Sequence, residues 1–575
     1  MKSGAEKARQ QAREKPAAKS DFDKLVDEFF DRYFSFHPTS ATAAGFHQFD
    51  AQLEDYSKAA IEQEIAFARE FREKFEKSNA TELSADTAAD RQLVIDANKS
   101  TLLELQDIRS WEKNPDRYSS GIANSVFVIM SRSFAPPAVR LKSVIERERK
   151  MEKVFQAAHA NLKNPPQIYT EIALEQLPGI ISFFQKDVPG AFKKVKDKKL
   201  LAEFHSANGN VIQQLQQYQG WLKNELLPQS KGDFRIGEAN YRKKLLYEEM
   251  VDIPIERLLQ IGIEDLRRNQ QAFREVAAQI DPTRSPQEIL EALEKEHPEP
   301  GKLLQTFRDV LAGLRGFIVT RHIVTIPSPV PPILEETPPF MRALTFASMN
   351  TPGPYETKAK EAFFNVTLPE ASWTAQHVAE HMAAFNRGTI ISTAIHEAYP
   401  GHYVQFLWVQ HANSKVRKLL GSGSNAEGWA HYCEQMMLDE GYGKTARHNG
   451  GPDVSFLKLR LGQLQDALLR NARFIVGIEM HTGKMKFDEG VDFFVKEGYQ
   501  PRAVAERETK RGTSDPTYLV YTLGKLEIMK LRADYRKLQG DKFSLQEFHD
   551  NFLRQGFPPV KVIRRALLGN ETPVL

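Results

Sequence analysis

Along most of this chain apolar residues return every three or four positions, and that spacing limits the fold more than any other feature. It runs through DFDKLVDEFFDRYFSFHP, DRQLVIDANKSTLLELQDI, PAVRLKSVIERERKMEKVFQAAHANL and IPIERLLQIGIEDLRRNQQAFREVAAQI. Residues at this interval share one side of an α-helix, so each segment needs neighbouring helices to cover its stripe. The N-terminal half is therefore expected to be a helical assembly, and the lack of a fixed-period repeat argues against a solenoid. Between about residues 315 and 370 the rhythm changes. FIVTRHIVTIP, RALTFASM and AFFNVTLP are short, β-branched and aromatic, and PSPVPPILEETPP and NTPGPYE separate them. These read as a small sheet. Helical spacing then resumes to the C-terminus, so the expected fold class is mostly α with one small β-sheet.

Charge and cysteine content narrow the chemistry. Over 575 residues, 78 Lys and Arg face 75 Asp and Glu, leaving +3. That balance steers neither nucleic acid nor an anionic membrane surface. The single cysteine, Cys433, rules out an internal disulfide framework and Cys-based metal sites, so a metal here must take His, Asp or Glu. No apolar run approaches the roughly 20 residues of a spanning helix. The basic start MKSGAEKARQQAREKPAAKS lacks the apolar stretch of a secretory signal. The expectation is a cytoplasmic protein, with a trimmed periplasmic or secreted form as the alternative.

One short stretch carries metal chemistry in an altered form. AIHEAYPGHYVQ, residues 394–405, holds His396 and Glu397 as in a His-Glu-x-x-His zinc helix, but the second histidine is delayed to His402. Six residues of regular helix turn through about 600°, which leaves His402 roughly 120° away from His396. The pair can meet only if the chain breaks or bulges at Pro400-Gly401, the residue types suited to that. Glu397 is placed to act as general base on an attacking water. A catalytic zinc needs a third protein ligand. NAEGWAHYCEQMMLDEGYG supplies Glu427, with His431 and Glu434 on the same helical face as outer partners that would orient the histidines. Farther on, Tyr518, Tyr521 and Lys525 are spaced as one helical face, with Arg511 just before them. A phenol there could donate to an oxyanion, and a cation could hold a substrate carboxylate. A rival lies upstream, where HVAEH, His377 to His381, spells the inverted zinc signature, with its two histidines at regular helical spacing.

HEAYPGH, EGWAHY and the later YTLG together resemble a large, mostly bacterial family catalogued as a domain of unknown function and grouped with the zincin metallopeptidases. PTSATAAGFHQFDAQLEDYS and FRIGEANYRKKL are similar to that family as well, so the likeness spans nearly the whole chain after the first 20 residues. More distantly, the layout resembles angiotensin-converting-enzyme-like and thermostable-carboxypeptidase-like helical peptidases. The resemblance implies a large helical zincin-like body with a deep cleft, the small sheet along it, and one Zn²⁺ held by His396, His402 and Glu427. It also implies Tyr521 at the transition state and Tyr518 at the substrate's C-terminal carboxylate, where Lys525 or Arg511 is a further candidate from its charge. The expected organisation is a polar arm over 1–20, a helical lobe over 21–310, and a catalytic lobe over 311–575, the two lobes forming one continuous unit. The expected function is zinc-dependent cleavage of peptides or oligopeptides. The alternatives are a helical binding or scaffold protein that has lost hydrolysis, and a zinc amidohydrolase acting on a non-peptide amide.

Overall fold

A computed structural model describes residues 19–78, 83–338, 341–342, 345–444 and 453–575. The polar arm expected over 1–20 falls almost wholly outside them. The first described helix begins where its sequence can satisfy free amides. Ser20 Oγ accepts from the Asp23 N–H at 3.1 Å and the Asp23 carboxylate accepts from the Ser20 N–H at 3.2 Å. That reciprocal cap opens α1 (Asp21–Phe36). Phe29, Phe30 and Phe34 of α1 pack on Phe67, Phe71 and Phe75 of α2 (Lys58–Lys77) and on Leu93 and Val94 of α3 (Ala85–Leu102). A second core gathers the helices between Tyr118 and Leu226, including α4 (Lys198–Trp221). The segment 137–162, which reads as one helical run, is two helices, Pro137–Glu148 and Met151–Asn161.

The sheet differs from its expected form at one strand. Its strands are β1 (Ile333–Glu336), β2 (Ala347–Asn350) and β3 (Phe363–Val366), in the order β1-β3-β2, with β1 parallel and β2 antiparallel to β3. FIVT, expected to start a strand, instead ends the helix Leu303–Thr320, whose buried stripe Leu303, Phe307, Leu311, Leu314 and Ile318 keeps helical spacing to its last turn. The first strand lies just after Pro331-Pro332, where an edge strand tolerates proline before it.

Five helices after the sheet build the site, joined by one from before it. In chain order, these are α5 (Ile255–Ile280), α6 (Arg387–Glu397), α7 (His402–Val409), α8 (Gly423–Asp439), α9 (Val454–His481) and α10 (Val520–Gln539). α8 runs along α10, α5 along α9, and α6 packs against both α8 and α9. A Cβ at Gly428 would meet Gly524 Cα at 2.4 Å, so α8 and α10 touch backbone to backbone. Residues from both sides of position 310 share cores: Leu258 and Leu266 pack with Leu464, Phe474 and Leu523, and the α1 core includes Val416 and Val562. Among the described residues, no helix is long and apolar enough to cross a membrane.

Candidate metal centre

HEAYPGH is not one helix. At the end of α6 the backbone hydrogen bonds widen step by step. Ala398 N–H reaches Ala394 O at 3.0 Å, Tyr399 N–H reaches the same oxygen at 3.1 Å, and Gly401 N–H reaches Ile395 O at 2.9 Å. Regular bonding resumes in α7 with Gln405 N–H on Gly401 O at 3.0 Å. Pro400 has no N–H to place in this ladder, and its carbonyl accepts from Trp429 Nε1 at 2.9 Å, which ties the turn to α8. The chain doubles back so tightly that a Cβ at residue 401 would stand 1.8 Å from His396 O, so only glycine fits. The two extra residues are absorbed in this turn, and His402 returns beside His396 with ring centroids 4.8 Å apart at 85°.

Three donor atoms then converge. His396 Nε2 and His402 Nε2 each lie 3.3 Å from Glu427 Oε2, and the three are mutually within 4.8 Å. No hydrogen-bond donor serves Glu427 Oε2 although it is buried. A buried carboxylate oxygen left in that condition is costly, and a cation between the three atoms would remove the cost. Donor atoms on a tetrahedral zinc with bonds of 2.0–2.2 Å lie roughly 3.3–3.6 Å apart, so the two 3.3 Å His–Glu distances fit the ion. Among the described residues, no other set of His, Cys, Asp and Glu converges in this way.

The outer partners do what α8 spacing suggests. Glu434, fully buried, accepts from His396 Nδ1 at 2.7 Å and from His431 Nδ1 at 3.0 Å. Arg470, from α9, lies 3.2 Å from the same carboxylate. Burial alone would raise Glu434, yet Arg470 and the two imidazoles hold it well below the usual carboxylate range. Burial pushes His431 down to about 3, which keeps it neutral. Burial also disfavours charge on His396, but the carboxylates on its two nitrogens, Glu427 and Glu434, carry it up to about 9. The electrostatics that favour a proton there equally favour a metal cation. Glu397, the last residue of α6, faces the Met349 N–H of β2; burial raises its carboxyl against the pull of His396 and His402.

Tyr521, in the first turn of α10, stacks toward His396 with centroids 6.3 Å apart and 20° between planes. Burial raises its hydroxyl, as does Glu427, so it remains a donor. Arg511 donates to Tyr521 Oη and to Asp515, both at 3.2 Å, which makes it a holder of the tyrosine.

Two expectations change here, and the rival motif falls away. Tyr518 does not share a helical face with Tyr521, because α10 begins only at Val520; its ring is wedged in a core between Gly477 and Gly512 and does not reach substrate. Lys525 is buried behind the site, near Asp265 and Glu434, rather than open to a substrate carboxylate. Among the described residues HVAEH forms no converging ligand set: His381 Nε2 is bonded to Thr367 O at 2.9 Å and His377 stacks on Trp373. Sequence reasoning also missed Asp466, Arg470 and Arg473 of α9. Their four- and three-residue spacing puts them on one face of α9, a signal that was available.

No curated protein matches the chain. A solved structure from Shewanella oneidensis, described as a "putative lipoprotein of unknown function", is 26% identical with a TM-score of 0.77, covering 96% of this chain and 100% of its own. Another from Colwellia psychrerythraea, also described as a lipoprotein, is 17% identical with a TM-score of 0.72, covering 95% and 98%, and shows the fold alone. The expectation of a cytoplasmic protein finds no support in these neighbours. The family model described as "Bacterial protein of unknown function (DUF885)" matches residues 38–567, and the chain belongs to that family.

Proposed function

We propose that this protein is a zinc-dependent peptidase of the zincin type, with His396, His402 and Glu427 as the metal ligands. The observation that carries this reading is the buried Glu427 oxygen, without a hydrogen bond and 3.3 Å from each of two imidazole nitrogens. When bound, zinc supplies a Lewis acid that polarises a carbonyl and makes water nucleophilic near neutral pH. Glu397 then removes the proton of the attacking water and hands it to the leaving amine. Tyr521 Oη, steadied by Arg511, donates to the developing oxyanion. Glu434 fixes His396 and His431 in their tautomers.

The sheet edge supports a peptide as substrate. Thr367 N–H bonds Phe346 O, and antiparallel pairs alternate, so Ala347 and Met349 of β2 turn their backbone groups outward, away from β3 and toward Glu397. An extended chain could pair there. The Shewanella neighbour, a described lipoprotein, supports a location in the cell envelope, which fractionation of the native cells tests.

The function is tested by incubating zinc-loaded wild type and Glu397→Gln with a mixed peptide library. Wild type is expected to cleave, and Glu397→Gln to keep its zinc and lose about 10²–10⁴-fold in rate. Zinc-loaded wild type that cleaves neither peptides nor other amides overturns the reading and leaves a binding protein. Cleavage of non-peptide amides alone makes the protein an amidohydrolase.

A further inference from the structure

Four guanidinium groups surround Tyr521 and the start of β2, and three of them are neutralised. Arg470 lies 3.2 Å from Glu434 and 3.7 Å from Asp466. Arg473 holds Glu508 through two bonds of 2.7 and 3.0 Å. Arg511 holds Asp515 and the Tyr521 hydroxyl. Arg507 differs: among the described residues it has no hydrogen-bond or ion-pair partner. Its guanidinium lies 4.1 Å over the Phe346 ring, and His381 stacks on the same ring at 5.7 Å.

The position of this free cation is what gives it meaning. Phe346 immediately precedes β2, and three residues along that strand the Met349 N–H faces Glu397. Three residues of extended chain cover about 10 Å. A peptide laid against β2 with its cleaved bond at Glu397 would bring a carboxylate a few residues away to Arg507. The two acids that flank it in sequence are already committed, Glu506 to Arg502 and Glu508 to Arg473. Burial also weakens the charged form of Arg507, with only Glu508 offsetting this, so a bound anion would relieve it. A guanidinium fork suits bidentate capture of a carboxylate.

We infer that Arg507 is a specificity-determining residue that binds a carboxylate of the peptide substrate, foremost the C-terminal one, and so restricts cleavage to bonds near that end. This rests on the peptidase reading above. The experiment measures binding alone, so that failure of catalysis and failure of carboxylate recognition are told apart.

Three fluorescein-labelled probes are used: an alanine pentapeptide with a free C-terminus, its C-terminal amide, and the amide with one alanine replaced by glutamate. Fluorescence anisotropy records their affinity for the full zinc-loaded chain carrying Glu397→Gln, with Arg507 intact, Arg507→Lys or Arg507→Met. The free acid is expected to bind at least about tenfold more tightly than the amide, the loss of one charged hydrogen-bonding pair. Arg507→Met should erase the difference and Arg507→Lys should restore part of it. If only the glutamate probe gains in an Arg507-dependent way, the carboxylate comes from a side chain and recognition by Arg507 still stands. Equal binding of all three probes, or a preference that survives Arg507→Met, overturns the inference. Absent hydrolysis by wild type alongside an Arg507-dependent preference would count against the peptidase reading and not against the site.

Discussion

Replacing Gly401 by alanine tests the turn that makes the centre possible. The added Cβ would stand 1.8 Å from His396 O and 2.4 Å from Ile395 O, whereas real Cβ contacts essentially never fall under 3.0 Å. Both atoms are backbone, so relief requires moving the chain by at least the 1.2 Å difference between 3.0 and 1.8 Å. The bonds at risk are Gly401 N–H to Ile395 O and Trp429 Nε1 to Pro400 O, each 2.9 Å. Two hydrogen bonds and the residual overlap amount to about 2–4 kcal/mol. The effect on the metal is sharper, because zinc ligand distances tolerate only about ±0.2 Å. Gly401→Ala is therefore expected to lower the melting temperature by a few degrees and zinc affinity by tenfold or more, read by thermal unfolding and by titration against a chromophoric chelator. Wild-type affinity and melting in Gly401→Ala would refute the claim that this doubled-back turn holds His402 in place.

Three further outcomes are expected. Glu434→Gln removes the charge that orients two histidines and offsets Arg470, and chelator competition should show zinc affinity about 10–100-fold weaker. Tyr521→Phe keeps the ring and loses the donor, so zinc content should hold while kcat falls about 10²–10³-fold with KM little changed; an unchanged kcat would remove Tyr521 from the mechanism. Glu148, away from the centre, is 3% exposed with neither carboxyl oxygen bonded, and burial holds its pKa well above 4.5. The folded state then binds its proton more tightly than the unfolded chain, so this stability is present below pH 4.5 and is lost as pH rises toward the folded value. Urea unfolding of Glu148→Gln beside wild type should show a stability gain for the variant that grows with pH, and a gap independent of pH would contradict this.

What the sequence made legible was local. The three- and four-residue spacing found the helices, and the awkward six between His396 and His402 demanded a broken helix at Pro400-Gly401, which is present. The same rule located Glu427, His431 and Glu434, because all three lie on one continuous helix, α8. The errors also have local causes. FIVT looked like a strand because its residues are aromatic and β-branched, but tertiary packing of the stripe from Leu303 to Ile318 prevailed. The rival HVAEH, to which the metal was not assigned, matched three letters, which says nothing of where the imidazoles point; one meets a backbone carbonyl and the other a tryptophan. Tyr518 was misplaced because its helical register depended on a start that Pro516 delays. The arginine ring was hidden because α9 and the segment carrying Arg507 and Arg511 meet only in the folded chain.

The central claim, a zinc ion held by His396, His402 and Glu427, is tested most directly by metal stoichiometry in protein loaded with zinc and freed of excess by gel filtration. One zinc per chain is expected in wild type and in His381→Ala, with His402→Ala and Glu427→Ala left nearly empty. No zinc in wild type, or zinc retained in His402→Ala and lost in His381→Ala, would contradict it.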